Sequence, residues 1–319
     1  MTDPLCVVAY MDGRPGHEKQ TRAVMEALEA KTPLAVKTLA LAPASGWRRL
    51  VQGLKEWMGQ GGSLHGFGPR DIDLIIGTGS TTHLPMLALK RRCRARLVTC
   101  MSPDPVLRPW FDLCLVPRHD TPPVRRNIFP TFGPPCINVG GSRHDARRGL
   151  ILAGGIDPKS HRWDPSVFMA QVRQLRTRMP EMSWTISSSP RTPSDTVERL
   201  DRFAGAHRNV TFFRADETPP GWIESAYMAH GQVWVTADSV SMVYEALTAG
   251  CRVGILPVAW NHPHNKFQKG IDDLTAHGLV LDYDSWQGGV SWPATPKLLN
   301  EAERCASEIL RRWWPTRLA

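Results

Sequence analysis

At 319 residues the chain is longer than one hydrophobic core comfortably serves, so two domains are expected. Its 42% hydrophobic and 22% charged residues fit a globular protein and exclude a disordered one, and no run approaches the roughly 18 uncharged apolar residues of a membrane span. Lys and Arg outnumber Asp and Glu by 39 to 30, a net charge of +9 that favours an anionic partner; without an RNP-like, zinc-finger or homeodomain pattern, nucleic acid is not expected to be that partner.

The run Leu5–Met11 is short, has no basic leader and passes straight into Asp12-Gly13, so it is expected to be a first strand rather than a signal peptide. Strands are predicted at Cys6–Met11, Ala35–Leu39, Asp73–Gly77, Leu97–Cys100 and Leu113–Val116, with helices at about Glu18–Ala30, Trp47–Met58 and Leu84–Arg92. A second series follows the loop Gly140–Gly149. Its strands are Leu150–Ala153, Ser183–Ser187, Val210–Phe213, Val233–Thr236 and Arg252–Ile255, and its helices are Asp164–Met179, Thr192–Ala206, Gly221–His230 and Ser241–Ala249. A last helix, about Pro296–Trp314, comes after the strands are exhausted.

Alternation of this kind is the signal for parallel βαβ units. The expected fold is α/β, with two Rossmann-like doubly wound domains, residues 1–142 and 143–319, facing a central cleft, and the last helix packing back on the first domain. Ligands of such sheets bind beyond the carboxyl ends of the strands, so a nucleotide-type ligand is expected in that cleft.

The residues after each strand carry the chemistry. Asp12-Gly13-Arg14-Pro15-Gly16-His17-Glu18 is a glycine-bearing turn opening a helix, with Gly13 and Gly16 permitting close approach or positive φ and His17 at the helix start. The positive end of a helix favours the neutral imidazole that accepts a proton; a tight turn with a surface His would look the same. Gly77-Thr78-Gly79-Ser80-Thr81-Thr82 offers small hydroxyl residues before a helix, suited to an oxyanion or sugar and equally to ordinary capping. In the second half Gly154-Gly155 with Lys159 and Arg162, and Ser187-Ser188-Ser189-Pro190-Arg191-Thr192, are two adjacent cationic loops suited to phosphate. The stretch Thr236-Ala237-Asp238-Ser239-Val240-Ser241-Met242, followed by Glu245, places a small-residue turn before a helix. Amides there can take a diphosphate while a carboxylate one turn on reaches ribose hydroxyls.

No metal is expected. Asp71-x-Asp73 and Asp282-x-Asp284 lack further ligands, and so does His262-x-His264. The seven cysteines (Cys6, Cys93, Cys100, Cys114, Cys136, Cys251, Cys305) are scattered without a C-x-x-C pair. That fits reduced core fillers in a cytoplasmic protein, which could also rest on the inner face of a membrane.

In this order, Asp12-Gly13-x-Pro15-Gly16-His17-x-x-Gln20, Pro117-Arg118-His119-Asp120, Gly154-Gly155 with Arg162-Trp163-Asp164, Arg191-Thr192-Pro193 and Thr236-Ala237-Asp238-Ser239-Val240-Ser241-Met242 through Glu245 resemble the elongated-mitochondria family. That family is known from a plant mitochondrial-fission factor and bacterial relatives. It is similar to GT-B glycosyltransferases, above all those that pass a sugar from a UDP-sugar to a lipid-linked acceptor. The resemblance implies a nucleotide-sugar donor in the second half. Gly154, Gly155, Lys159, Arg162, Ser188, Arg191, Thr192, Asp238, Ser239, Ser241, Met242 and Glu245 would hold it. It implies a hydroxyl acceptor in the first half, near Gly13, Gly16, Gly79, Ser80 and His119, with His17 or Asp12 as the base and Asp120 as the next candidate. Arg118 stands where the family has an acidic residue.

The leading expectation is a metal-independent, inverting glycosyltransferase that needs no cofactor besides its donor substrate. A non-catalytic adaptor on the same shell is the runner-up, and a nucleotide-sugar epimerase the third reading. The stripe Trp47, Leu50, Val51, Leu54, Trp57 and Met58 would give an adaptor, or a transferase with a lipid-linked acceptor, a membrane-facing helix; core packing is the commoner fate of such a stripe.

Overall fold

The computed structural model describes residues 3–41, 68, 71–139, 143–262, 265–292 and 298–318. The expected helix Trp47–Met58 lies outside these. The chain forms two compact units, Met1–Ile137 with Asn300–Ala319, and Asn138–Leu299.

Unit 1 is built on strands β1 (Leu5–Met11), β2 (Leu34–Ala40), β3 (Leu74–Thr78), β4 (Arg96–Cys100), β5 (Leu113–Pro117) and β6 (Ile128–Thr131), all parallel, in the order β2-β1-β3-β4-β5-β6. Both faces are covered, so the strands read as nearly continuous apolar runs rather than alternating ones. Leu5, Val7, Ala9, Leu74, Ile76, Val98 and Leu113 face one core, and Val8, Tyr10, Ile75, Leu97, Cys114 and Val116 the other. Helix α1 (Pro15–Glu29) starts three residues before the expected Glu18, because Pro15 takes the first helical position, where its fixed φ and missing N–H cost nothing. Helix α2 (Ser80–Lys90) starts at Ser80 rather than Leu84; Pro85 inside it hides the first turn from a sequence reading.

Unit 2 holds β7 (Asp145–Leu152), β9 (Ser183–Ser187), β10 (Val210–Phe213), β11 (His230–Thr236), β12 (Arg252–Leu256) and β14 (Val280–Asp282) in the order β10-β9-β7-β11-β12-β14, again all parallel. A two-stranded antiparallel ribbon pairs β8 (His161–Arg162) with β13 (Ala259–Trp260). Its helices are α3 (Pro165–Arg178), α4 (Ser194–Gly205), α5 (Trp222–Ala229), α6 (Val240–Thr248), α7 (Lys266–Ala276) and α8 (Tyr283–Gln287). The strands are therefore not exhausted at Ile255: α7, capped by Asn265, leads to a sixth strand. The last helix, α9 (Glu301–Trp313), belongs to unit 1, where Cys305, Ala306, Ile309 and Leu310 join the core beside Val24 and Leu28 of α1. None of the seven cysteines forms a disulfide.

Two buried histidines, His83 and His230, and the half-buried His144 give this fold a pH limit. Burial pushes His83, in α2, down to about 4, with Asp104 opposing, and burial likewise holds His144 and His230 below the ordinary imidazole range. Each is kept neutral in the folded chain but takes up a proton when unfolded. The stability they confer is thus complete above about pH 6.5 and lost progressively toward pH 4. For His83 the loss is about 3 kcal/mol. Chemical denaturation from pH 7.5 to 4.5 should give a falling midpoint; a flat profile would contradict this.

Candidate functional site

Each sheet reverses its strand order at one point, where the loops leaving two adjacent strands part to opposite faces and open a crevice at their carboxyl ends. In unit 1 that point lies between β1 and β3, and in unit 2 between β7 and β11. Polar residues singled out in the sequence gather at both.

At the unit 1 point, Asp12 leaves β1 and turns back to α1. Its Oδ2 lies 2.8 Å from His17 Nδ1 and accepts from Thr81 Oγ1 at 2.9 Å, while Oδ1 accepts from the Arg14 N–H at 3.1 Å. The Asp12 side chain is 1% exposed and that of His17 19%, so the carboxylate is sealed and the ring reaches the surface. A carboxylate only accepts hydrogen bonds, so Nδ1 carries a proton, and in the neutral ring the lone pair is on Nε2. Burial works to raise the Asp12 carboxyl, but hydrogen bonds from His17, Arg14 and Thr81 outweigh it and hold it below the usual carboxylate range. Asp12 and His17 therefore form one hydrogen-bonded dyad, in which the carboxylate orients the imidazole. Thr81, one of the small hydroxyl residues of the Gly77–Thr82 stretch, completes it by donating to the Asp12 carboxylate.

Gly13, with φ of +78°, allows the turn, and its N–H donates to Glu18 Oε1 at 3.0 Å. Gly16 lies inside α1 with open space beside it. Gly79 precedes α2 with φ of +96°, and a Cβ there would stand 2.4 Å from His17 Nδ1 and 2.9 Å from Asp12 Oδ2. Gly79→Ala is therefore expected to destabilise the fold by about 1–3 kcal/mol and to remove the downfield Nδ1 proton signal of His17 in NMR. An intact signal would mean that the dyad tolerates the methyl group. Ser80 is exposed at the helix start. His119 and Asp120 sit beyond β5, with 4.0 Å between His119 Nε2 and Asp120 Oδ1. Three strand spacings, about 14 Å, separate β5 from β1, so neither joins the dyad. Arg118 lies over the Phe132 ring at 4.1 Å.

At the unit 2 point the arrangement differs from the expectation. The Gly154 N–H donates to Thr236 Oγ1 at 2.8 Å and the Gly155 N–H to Asp238 Oδ2 at 3.2 Å, so both amides are occupied within the protein rather than open to phosphate. The glycines serve close approach instead: a Cβ on Gly154 would meet Asp238 Oδ2 at 2.1 Å, and one on Gly155 would meet the Arg191 carbonyl at 2.0 Å. Ser188 accepts from the Ala215 N–H, and Thr192 donates to the Gly154 carbonyl. Both tie loops together. Lys159 is exposed in a turn where its N–H donates to Asp157. Arg162 lines a separate cavity of about 450 Å³ with Trp163, Phe168, Gln171, Thr236 and Pro257. Asp282 caps α8, a structural duty.

What remains open at this point is cationic. Arg191 Nη2 donates to Asp238 Oδ2 at 2.9 Å and to Ser239 Oγ at 3.3 Å, with its side chain 43% exposed over an Asp238 that is 1% exposed. Asp238 Oδ1 has no partner among the described residues, a buried cost that folding alone does not explain. Ser239 leaves the start of α6 without a side-chain cap, whereas Asp164, Asn265 and Asn300 cap α3, α7 and α9. Arg191 thus contacts the residue that precedes the first turn of α6, and Glu245 follows on the same helix with Oε2 3.4 Å from the Tyr227 hydroxyl. A helix start without a side-chain cap and a half-exposed guanidinium are the groups that an anion site would use.

Solved structures share this architecture. MnaA of S. aureus, determined with UDP, superposes with a TM-score of 0.58 at 12% identity, covering 99% of this chain and 98% of that one. The UDP-GlcNAc 2-epimerase of Methanocaldococcus jannaschii gives 0.55 at 10% identity over 97% and 99%. That of Neisseria meningitidis, bound to UDP-GlcNAc, gives 0.52 at 12% over 97% and 99%. At such identities the likeness is one of fold, and the fold is the GT-B pair of Rossmann-like units. No curated protein sequence matches the chain. Residues 15–313 match the mitochondrial fission ELM1 family, and the chain belongs to that family.

Proposed function

We propose that the protein is a nucleotide-sugar-dependent glycosyltransferase acting on a hydroxyl acceptor. The observation that carries this reading is the Asp12–His17 dyad, an imidazole held in one tautomer with Nε2 free to accept a proton. The acceptor O–H proton passes to Nε2, and Asp12 stabilises the resulting imidazolium. The oxygen bonds to the anomeric carbon in line as the bond to the nucleoside diphosphate breaks, inverting the centre. Arg191 and the first-turn amides of α6 take up the leaving charge, so the reaction needs no metal ion. UDP is the proposed nucleotide and a lipid-linked or envelope glycan hydroxyl the proposed acceptor, reached from the inner face of the membrane. No described helix is long and apolar enough to cross a membrane.

A second reading, epimerisation, draws on the UDP-GlcNAc 2-epimerases of the same fold. There the base would act on the sugar C2 proton, and no acceptor would be used.

Thermal unfolding with UDP, GDP, CMP and ADP, each with and without its sugar, tests both. A ligand at 100 times its Kd should add about 2.7 kcal/mol. A transferase releases nucleoside diphosphate only with an acceptor present. An epimerase converts the sugar alone and takes deuterium at C2. EDTA should change neither binding nor turnover; activity restored by Mg²⁺ or Mn²⁺ would contradict the metal-free step. Absence of stabilisation by every nucleotide would remove both readings and leave the adaptor.

A further inference from the structure

Helices α3 and α4 lie side by side on one face of the unit 2 sheet, as right-handed crossovers from β7 to β9 and from β9 to β10 require. Between them runs an open cavity of about 560 Å³ lined by Arg173 of α3, Arg199, Arg202 and Phe203 of α4, and Ala206 and His207 just beyond it. All three arginines are exposed, and no carboxylate lines the cavity.

Arginines on other helices of this chain are neutralised locally. Arg304 pairs with Glu301, and Arg311 and Arg312 both pair with Glu308, at 2.6–2.7 Å. Around the cavity the pattern fails. Arg199 Nη1 reaches Ser166 Oγ at 3.4 Å, and Arg202 Nε reaches the Glu198 carbonyl at 3.3 Å although the Glu198 carboxylate is four residues away. Asp201, beside Arg202 on α4, pairs with Arg214, and Asp195, four residues before Arg199, accepts from Thr196 Oγ1 at 3.4 Å and makes no ion pair with Arg199 among the described residues. Among the described residues none of the three arginines makes an ion pair. The wall is fixed: His207 Nδ1 donates to the Phe203 carbonyl at 2.7 Å, and the two rings lie 4.4 Å apart. Three unneutralised guanidiniums around one cavity repel one another, a cost that an incoming anion converts to attraction.

We propose that this cavity binds a multivalent phosphate, carried either by a free oligophosphate or by a phosphorylated lipid headgroup. The site is separate from the strand-end anion site: Arg191 lies before the start of α4, a helix about 18 Å long, and Arg202 and His207 lie at its end. It does not depend on the glycosyltransferase reading.

Isothermal titration of the full chain with tripolyphosphate tests it, comparing the native protein with Arg191→Gln, Arg173→Gln and the triple variant Arg173→Gln/Arg199→Gln/Arg202→Gln. A binding event should survive Arg191→Gln, weaken about tenfold in Arg173→Gln, as loss of one charge-assisted contact implies, and vanish in the triple variant. Arg173 has no bond to lose among the described residues, so without ligand at low salt Arg173→Gln should unfold at the native temperature or above; a lowered temperature would mean the residue serves the fold. Flotation with phosphatidylcholine vesicles, with and without a polyphosphorylated headgroup, identifies the carrier. Flotation lost in the triple variant assigns the headgroup, and tripolyphosphate binding alone assigns the free anion. Tripolyphosphate binding unchanged in the triple variant, or neither binding nor flotation in the native chain, overturns the proposal.

Discussion

His17→Ala is expected to slow sugar transfer by about 10²–10⁴ while leaving nucleotide affinity at its native value. The magnitude follows from what is removed: a base whose lone pair is aimed by a buried carboxylate, so that no reorganisation is needed when the acceptor proton moves. Asp12→Asn should cost a comparable factor, because the amide no longer requires the proton on Nδ1 and no longer stabilises the imidazolium. The double variant should then be little worse than either single one, since both substitutions disable the same device. Initial rates at saturating donor and acceptor decide the matter. Transfer at the native rate in His17→Ala would move the base elsewhere, and additive losses in the double variant would mean that Asp12 and His17 act separately.

The dyad also marks how far a sequence can be read. Asp12, Gly13, Pro15, Gly16 and His17 lie within one strand-to-helix turn, and their proximity follows from chain connectivity alone. Pro15 at the first helical position fixes where His17 falls on the helix, five residues from its partner. Thr81 and Gly79 come from 69 and 67 residues away in the chain order, and only the pairing of β1 with β3 brings them under the dyad. At the second switch point the same limit hid the partners of two amides. Gly154 and Gly155 look like phosphate-binding amides until Thr236 and Asp238, 82 and 83 residues further on, are found to occupy them. A glycine pair after a strand announces close approach; what approaches is decided by the partner strand. The overlooked elements have local causes. β6 is four residues with Pro130 inside, and β14 is three, both too short to show a period.

Loss of the Glu245 carboxylate is expected to weaken a nucleoside diphosphate by about 10²–10⁴-fold, since two ribose hydroxyls donating to a charged acceptor contribute about 1.5–3 kcal/mol each. Glu245 lies on α6 beyond the uncapped first turn, and the Tyr227 hydroxyl, 3.4 Å from Oε2, steadies the carboxylate before any ligand arrives. Arg191 would meet a different part of the same ligand, its phosphates. It rests on Asp238 in the free protein, so a diphosphate must share or displace that contact, and part of its attraction offsets the loss. The two residues should therefore separate cleanly by probe. Glu245→Ala should weaken both uridine and UDP, because both carry the ribose, whereas Arg191→Gln should weaken UDP and leave uridine at its native affinity. Calorimetric titration of the two variants with the two ligands gives four affinities that this division of labour fixes in advance. Native uridine affinity in Glu245→Ala would put the ribose elsewhere. Equal weakening of uridine and UDP by Arg191→Gln would mean that the guanidinium supports the loop against Asp238 and Ser239 instead of meeting the phosphates.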